Sequence, residues 1–305
     1  MNEGYEYSER LGVETEGECL LAYLVRRYRH SSGYEWRNRI DAGQVLLDSK
    51  PGRPETTLRR GQTLVWRRPA WTEPDAPTSF AVLHEDEDLL AVAKPAGLPT
   101  LPGGGFLNAT LLHRVRTYAP GASPLHRLGR WTSGVVLFAR TRETLADLTR
   151  QWVSRNVGKR YRALAVGTPS RSDFEIEVPI GPVPHPLLGS VHAASADGKA
   201  ALSRVVLVEQ REGEFVCDVH IATGRPHQIR IHLAAAGHPL VGDPLYAAGG
   251  TPAPGCRALP GDPGYSLHAA ELGFRHPRTA RDLVVTCEPP PALRQIKGSG
   301  RRDRS

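Results

Sequence analysis

Cysteine, methionine and long apolar runs are all scarce in this sequence: its 305 residues include four cysteines and one methionine. No stretch approaches the roughly 18 apolar residues of a membrane span. Residues 1–25 lack the basic-then-apolar layout of a secretion signal, so a cytoplasmic protein without a membrane partner is expected. Cys19, Cys217, Cys256 and Cys287 lie far apart with no C-x-x-C pair, which excludes a disulfide framework or zinc ribbon and leaves free thiols. His227 and His232 are five apart, a spacing that does not stack two ligands on one helix face, so no metal and no cofactor are expected. The G-x-S-x-G of a hydrolase nucleophile is missing. KPAGLPTLPGGG, residues 94–105, lacks the GKS or GKT that ends a phosphate-binding P-loop.

Positive charge is present in excess, and it is concentrated. The net charge is +7, and residues 20–70 alone hold 11 Lys/Arg against 4 Asp/Glu, so the rest of the chain is balanced. A basic surface confined to one segment suits a polyanion, because each phosphate it neutralises releases condensed counterions; a merely well-solvated surface has the same composition. Within ECLLAYLVRRYR, residues 18–29, Leu20, Leu21, Leu24, Val25 and Tyr28 recur at helical spacing. YEWRNRIDAG predicts a second short helix ending at Gly43, and QVLLDSKPGRPETTLRRGQTLVWRR predicts two strands joined by a Pro/Gly connection. Residues 1–70 therefore form a small module and residues 71–79, the greater part of PAWTEPDAPTS (69–79), a linker.

From Phe80 the pattern shifts to strands. FAVLHEDEDLLAVAKP predicts two strands around an acidic turn, NATLLHRVRTYA a helix, GVVLFAR a buried strand, and TRETLADLTRQWVSR an amphipathic helix with Leu145, Leu148 and Trp152 on one face. KRYRALAVG, ALSRVVLVEQ, EFVCDVHIATG and DLVVTCEP predict further strands, with a helical HQIRIHLAAAG between them. Strands and helices without regular β-α-β alternation predict a mixed α+β fold with a mainly antiparallel sheet. The RRDRS end reads as part of a basic tail, residues 293–305.

Polar clusters fall where strands end or turns begin: KPAGLPTLPGGG, HRLGRWTSG, KRYRALAVG and TGRPHQIRIHLAAAGHPLVGDPLY. Arginines and histidines at a helix start suit phosphates or a base, with the helix N-terminus assisting. Tyr161 taken alone reads as a half-buried strand residue sharing a side with Lys159 and Ala163.

Together and in order, HEDEDLLAVAKPAGLP, HRLGRWTSGVVLFAR, KRYRALAVG, TGRPHQIRIHLAAAGHPLVGDPLY and LHAAELGFRHP resemble the motifs of the RluA-type pseudouridine synthases over about residues 80–290. The resemblance implies a catalytic domain of that α+β type over residues 80–292, behind a degenerate alpha-L-like RNA-binding module. It implies an isomerase that flips a uridine out of ribosomal or transfer RNA, breaks its N1–C1′ bond and rejoins the base through C5, with no cofactor and no metal. Its partner is RNA, and a monomer is expected. By the resemblance, Arg127 enters the space the flipped base leaves, Tyr161 stacks on the uracil, and Arg230 pairs with the catalytic carboxylate. Thr132 and Ser133 shape the turn, and His126, Arg130, Lys159, Arg225 and His227 join the RNA-binding set.

One position departs from the family. Gly129 stands where the resemblance places the catalytic aspartate, which acts as nucleophile or removes a proton from the 2′ position. General acid-base help is worth about 10²–10⁴ in rate. Three readings stand. Glycine is native to this branch and a carboxylate from elsewhere, Asp41, Asp243 or Glu143, enters the site; glycine is a deliberate change that traps RNA; or the protein binds or remodels RNA without catalysis. The retained Tyr161 and Arg230 favour the first over the third. A buried arginine without its carboxylate is costly, so either a new carboxylate reaches Arg230 or a water- or anion-filled pocket lies at Gly129. An Arg230 turned to solvent would oppose both.

Overall fold

The computed structural model describes residues 1–296. By its contacts the chain divides into two units, Met1–Glu73 and the residues from Pro74 onward.

The first unit runs β1 (Tyr5–Arg10), α1 (Leu20–Arg27), α2 (Gly33–Asp41), β2 (Val45–Leu47), β3 (Lys50–Pro51) and β4 (Thr63–Arg68). Helix α2 begins with a capping box, in which the Ser32 side chain accepts from the Glu35 N–H and Glu35 reaches back to Ser32. Leu20, Leu24, Trp36 and Ile40 from the helices meet Val45, Leu47 and Leu64 from the sheet in one core. The sheet has four strands in the order β1-β4-β2-β3, two more than the sequence suggested. YEYSER carries no local strand signal because it is mostly exposed and polar, and its partner, β4, lies more than fifty residues away.

The second unit contains β5 (Ala81–Glu85), β6 (Leu89–Lys94), α3 (Leu111–Tyr118), β7 (Ser123–Pro124), β8 (Ser133–Ala139), α4 (Arg142–Val153), β9 (Gly158–Val166) and β10 (Asp173–Ile176). It continues with β11 (Ile180–His185), β12 (Gly189–Ala194), β13 (Ser203–Gln210), β14 (Glu214–Ile221), α5 (Gln228–Ala235), β15 (Leu267–Arg275) and β16 (Asp282–Thr286). A ten-stranded sheet orders them β10-β13-β14-β9-β15-β8-β6-β5, with β16 on β15 and β7 on β8; β11 and β12 form a separate hairpin. Among the described residues its pairings are antiparallel except the short parallel contact of β15 with β8. The fold is thus the mixed, mainly antiparallel α+β arrangement expected.

Two expected boundaries are corrected. The segment 71–79 is not a free linker: Trp71 exchanges hydrogen bonds with Asn2, whereas Ala76 packs into the core around Leu98 and Leu111. The tail does not begin at 293, because Leu293 is buried with Leu164 and Val216 and Arg211 donates to the Ala292 and Arg294 carbonyls. The RRDRS end lies outside the described residues.

Candidate active site

The HRLGRWTSG turn connects β7 to β8, and its backbone is held from below by the KPAG loop. Lys94, 1 % exposed, donates from Nζ to the carbonyls of Pro95, Leu98 and Arg130 at 2.9, 2.6 and 2.9 Å. Burial, with the Arg130 charge adding to it, pulls the Lys94 pKa down to about 7; three carbonyl acceptors demand the ammonium form, since a neutral amine has two protons to give. Arg130 returns the tie, donating from Nε to the Gly97 carbonyl at 3.0 Å. Thr100 completes it: its hydroxyl donates to the Leu128 carbonyl and accepts the Leu128 N–H. Lys94→Met keeps the volume but strips one buried and two part-buried carbonyls of their donor. It should lower stability by about 1–3 kcal/mol, read from urea unfolding.

The turn is also latched from above. His268 Nε2 bonds the Cys287 carbonyl, so its Nδ1 is free to accept the Ser133 hydroxyl at 2.9 Å, joining the TSG and LHA stretches. Strand β15 bulges between Ala269 and Glu271, opposite Tyr161 and Arg160 on β9. Bulges beside sites re-aim side chains, and here the affected position is that of the tyrosine.

These elements enclose a cavity of about 510 Å³ bordered by Arg127, Gly129, Tyr161, His227, Arg230 and Tyr265. That is within the range of roughly 300–1,000 Å³ typical of small-ligand sites. Tyr161 is half-buried on its wall, and burial pushes its phenol up to about 12. Arg127 is exposed and makes no hydrogen bond or ion pair with any described residue. Among the described residues no carboxylate lines the cavity.

Helix α5, buried along nearly its whole length, carries Arg230 into this wall. Its guanidinium grips Asp243 at both ends, Nε to Oδ2 and Nη2 to Oδ1 at 2.7 Å each, while Nη1 donates to the Pro260 carbonyl at 2.9 Å. Both partners are sealed, at 2 % and 1 % exposure. Burial works most strongly against the charge on Arg230, and the Asp243 hydrogen bonds together with the surrounding charges of Tyr265, Asp243 and Tyr246 more than offset it. Asp243 Oδ1 also accepts the backbone N–H groups of Leu245 and Tyr246. The aspartate of GDPLY is therefore Arg230's partner, as one of the sequence readings allowed. It sits behind the arginine and does not line the cavity, so it does not take over the missing side chain's place. Glu143 stands in the first turn of α4, also outside the cavity lining, and Asp41 lies in the first unit.

His227 begins α5 in the left-handed region, φ 55°. The Tyr246 hydroxyl donates its single proton to the His192 carbonyl, so it must accept from His227 Nδ1 at 2.7 Å. Burial, reinforced by Arg230, holds the imidazole pKa down to about 3. The ring is neutral with its proton on Nδ1, leaving Nε2 as an acceptor. Arg225 borders the cavity too, with its Nε given to the Ala200 carbonyl, and Gln228 fixes this loop through Thr223, Leu202 and Ser203. Thr132 is buried under the turn, its N–H donating to the Gly129 carbonyl.

Two expected RNA contacts stand elsewhere. His126 stacks on Trp152 at 4.7 Å and its Nε2 accepts the Leu137 N–H, while Lys159 lies 5.3 Å over the same indole. Neither borders the cavity. Both belong to the motifs that resemble the family's, but their side chains turn to Trp152, in a small second pocket lined also by Val135, Ala269 and Leu272. Lys94 and Tyr265 were not singled out from sequence. Tyr265 lies two residues ahead of the LHA stretch, and no periodicity marks it.

A possible cation cluster of Asp86, Asp88 and His276 is occupied by the protein itself: Asp86 bonds His84 and His276, and Asp88 pairs with Arg278. No described helix is long and apolar enough to cross a membrane.

A family model described as RNA pseudouridylate synthase matches residues 88–235. An uncharacterized RNA pseudouridine synthase of Synechocystis is 43 % identical over 277 residues, covering 90 % of this chain and 95 % of that protein. The RNA pseudouridine synthase 5 of Arabidopsis thaliana is 36 % identical over 97 % of this chain and 95 % of its own. The ribosomal large subunit pseudouridine synthase D of Xanthomonas campestris is 32 % identical over 94 % and 89 %. Among solved structures, human RNA pseudouridylate synthase domain containing 1 aligns with a TM-score of 0.56 at 26 % identity, over 73 % of this chain and 89 % of that one.

Proposed function

The chain belongs to the RluA-type RNA pseudouridine synthases, and from that premise we propose that it converts one specific uridine of structured RNA, ribosomal or transfer, to pseudouridine in the cytoplasm. The observation that carries this reading is the cavity itself, where Tyr161, the Asp243-paired Arg230 and the turn at Gly129 face one volume of about 510 Å³. The uridine is flipped into that space, its ring against Tyr161, with unstacking offset by Arg127 entering the duplex. The neutral His227 Nε2 is an acceptor for a ribose hydroxyl or base N–H, and Arg225 and Arg130 border the same volume. No step calls for a metal or cofactor.

The first unit supplies a second RNA surface in this reading. Arg39 lies 4.6 Å from the Trp36 ring and 4.8 Å from Trp66, and Arg68 lies 3.5 Å from Trp71, guanidinium groups held on aromatic faces. Cations beside stacking rings suit phosphates and unstacked bases. The competing reading, an RNA-binding protein or RNA chaperone without catalysis, is favoured by the absence, among the described residues, of a carboxylate along the cavity.

Both readings require salt-dependent RNA binding, so binding does not separate them. Isomerisation exchanges the C5 hydrogen of uridine, and RNA labelled with 5-tritiated uridine reports it: tritium release supports the synthase, and none supports the binder. Arg127→Ala should reduce the single-turnover rate at least tenfold more than it weakens equilibrium RNA binding. Equal losses in both would reject a role in holding the flipped state.

A further inference from the structure

Gly129 leaves a slot that another group already addresses. A side chain placed there would begin 3.2 Å from the Tyr265 hydroxyl and 3.4 Å from Thr132 Oγ1. Tyr265 is 6 % exposed, and what surface it has borders the cavity. Its hydroxyl makes no hydrogen bond to another described residue. The Arg230 guanidinium lies over its ring, 4.1 Å from the centroid. A tyrosine serving only to fill space would be expected to satisfy its hydroxyl elsewhere, as Tyr246 does on His227 and His192.

We propose that Tyr265 is a catalytic residue of this chain, its oxygen handling the proton at the sugar in place of the side chain absent at position 129. This rests on the synthase reading above. The hydroxyl proton passes to water, and the phenolate oxygen then takes the proton from C2′. The C2′–H electron pair becomes a C1′=C2′ double bond, and N1 leaves C1′ with its bonding pair. Once the uracil has turned, Tyr265 returns its proton to C2′, the double-bond pair forming that C–H bond. The uracil's electrons form the C5–C1′ bond. C5 then gives its proton to water, and water returns one proton to N1 and one to the Tyr265 phenolate, so the composition is unchanged and neither water nor any other reactant is consumed. Arg230 offers its positive charge to the phenolate face while Asp243 holds it in place.

The test uses the full chain with tritium-labelled RNA in single turnover. Tyr265→Phe removes one oxygen and keeps the ring under Arg230. The expected result is a rate lowered by at least about 100-fold, with RNA affinity and melting temperature unchanged. Adding Gly129→Asp to that variant, now that the hydroxyl 3.2 Å from the new Cβ is gone, should raise the rate at least tenfold above the single variant. A Tyr265→Phe protein as fast as its parent overturns the assignment, as does a double variant no faster than the single one. An unsubstituted protein that releases no tritium overturns the synthase reading, and the tyrosine assignment with it.

Discussion

Replacing Arg230 with methionine will destabilise the protein by about 3–5 kcal/mol and remove its activity. The cost comes from Asp243, which is 1 % exposed and would keep its charge in a buried site with its bidentate partner gone. Two backbone N–H groups still reach Asp243 Oδ1, which softens the loss without cancelling it. The second substitution Asp243→Asn separates the causes. It removes the unpaired charge while retaining a side-chain oxygen for those N–H groups, so Arg230→Met/Asp243→Asn should regain at least about 2 kcal/mol of the lost stability. Activity should stay lost, because the guanidinium that faces the cavity is still absent. Urea unfolding of the three variants measures the first expectation and tritium release the second. If the double variant is as unstable as the single one, the destabilisation comes from lost packing against Tyr246 and Tyr265 rather than from a stranded charge.

Gly134→Ala will be more damaging than its one carbon suggests. Gly134 ends the TSG turn with φ +109°, and a Cβ there would stand 2.1 Å from the Ala269 carbonyl oxygen and 2.6 Å from its nitrogen. Both obstacles are backbone, held by the parallel pairing of β8 with β15 that joins the two halves of the large sheet. Neither can rotate aside as a flexible side chain would. The expected loss exceeds about 4–5 kcal/mol, the range in which single substitutions become exceptional, and the melting temperature should fall by about 10 °C or more. Gly273→Ala on the same strand β15 is the control. Its nearest neighbour, Val284 Cγ2, lies an ordinary 3.8 Å away, so it should change the midpoint by a few degrees at most.

What could be read from sequence follows from how local each signal is. Helices α1 and α4 show their apolar faces directly in the spacing of Leu20, Leu24 and Leu148, and GVVLFA is unmistakably a buried strand. The β11–β12 hairpin is hidden because Pro182 and Pro184 interrupt the alternation that would mark a strand. The motif order was sufficient to bring Tyr161, Arg230 and the turn at Gly129 to one cavity. It could not show which side of the turn a residue occupies: Arg127 borders the cavity, whereas His126, one residue earlier, packs on Trp152. Nor could it foresee that Asp243 stands behind Arg230 rather than before it. Tyr265 is the clearest limit, since its place opposite Gly129 depends on residues 136 positions apart in the chain meeting across β15 and the turn before β8.

The central claim is that a site without an aspartate at position 129 still isomerises uridine. The most direct test is to incubate the purified, unsubstituted protein with unmodified cellular RNA and map pseudouridine at nucleotide resolution, beside RNA incubated without protein. The account predicts new pseudouridine at one or a few defined uridines of ribosomal or transfer RNA. A map identical to that of untreated RNA, from protein that binds the same RNA, would contradict it.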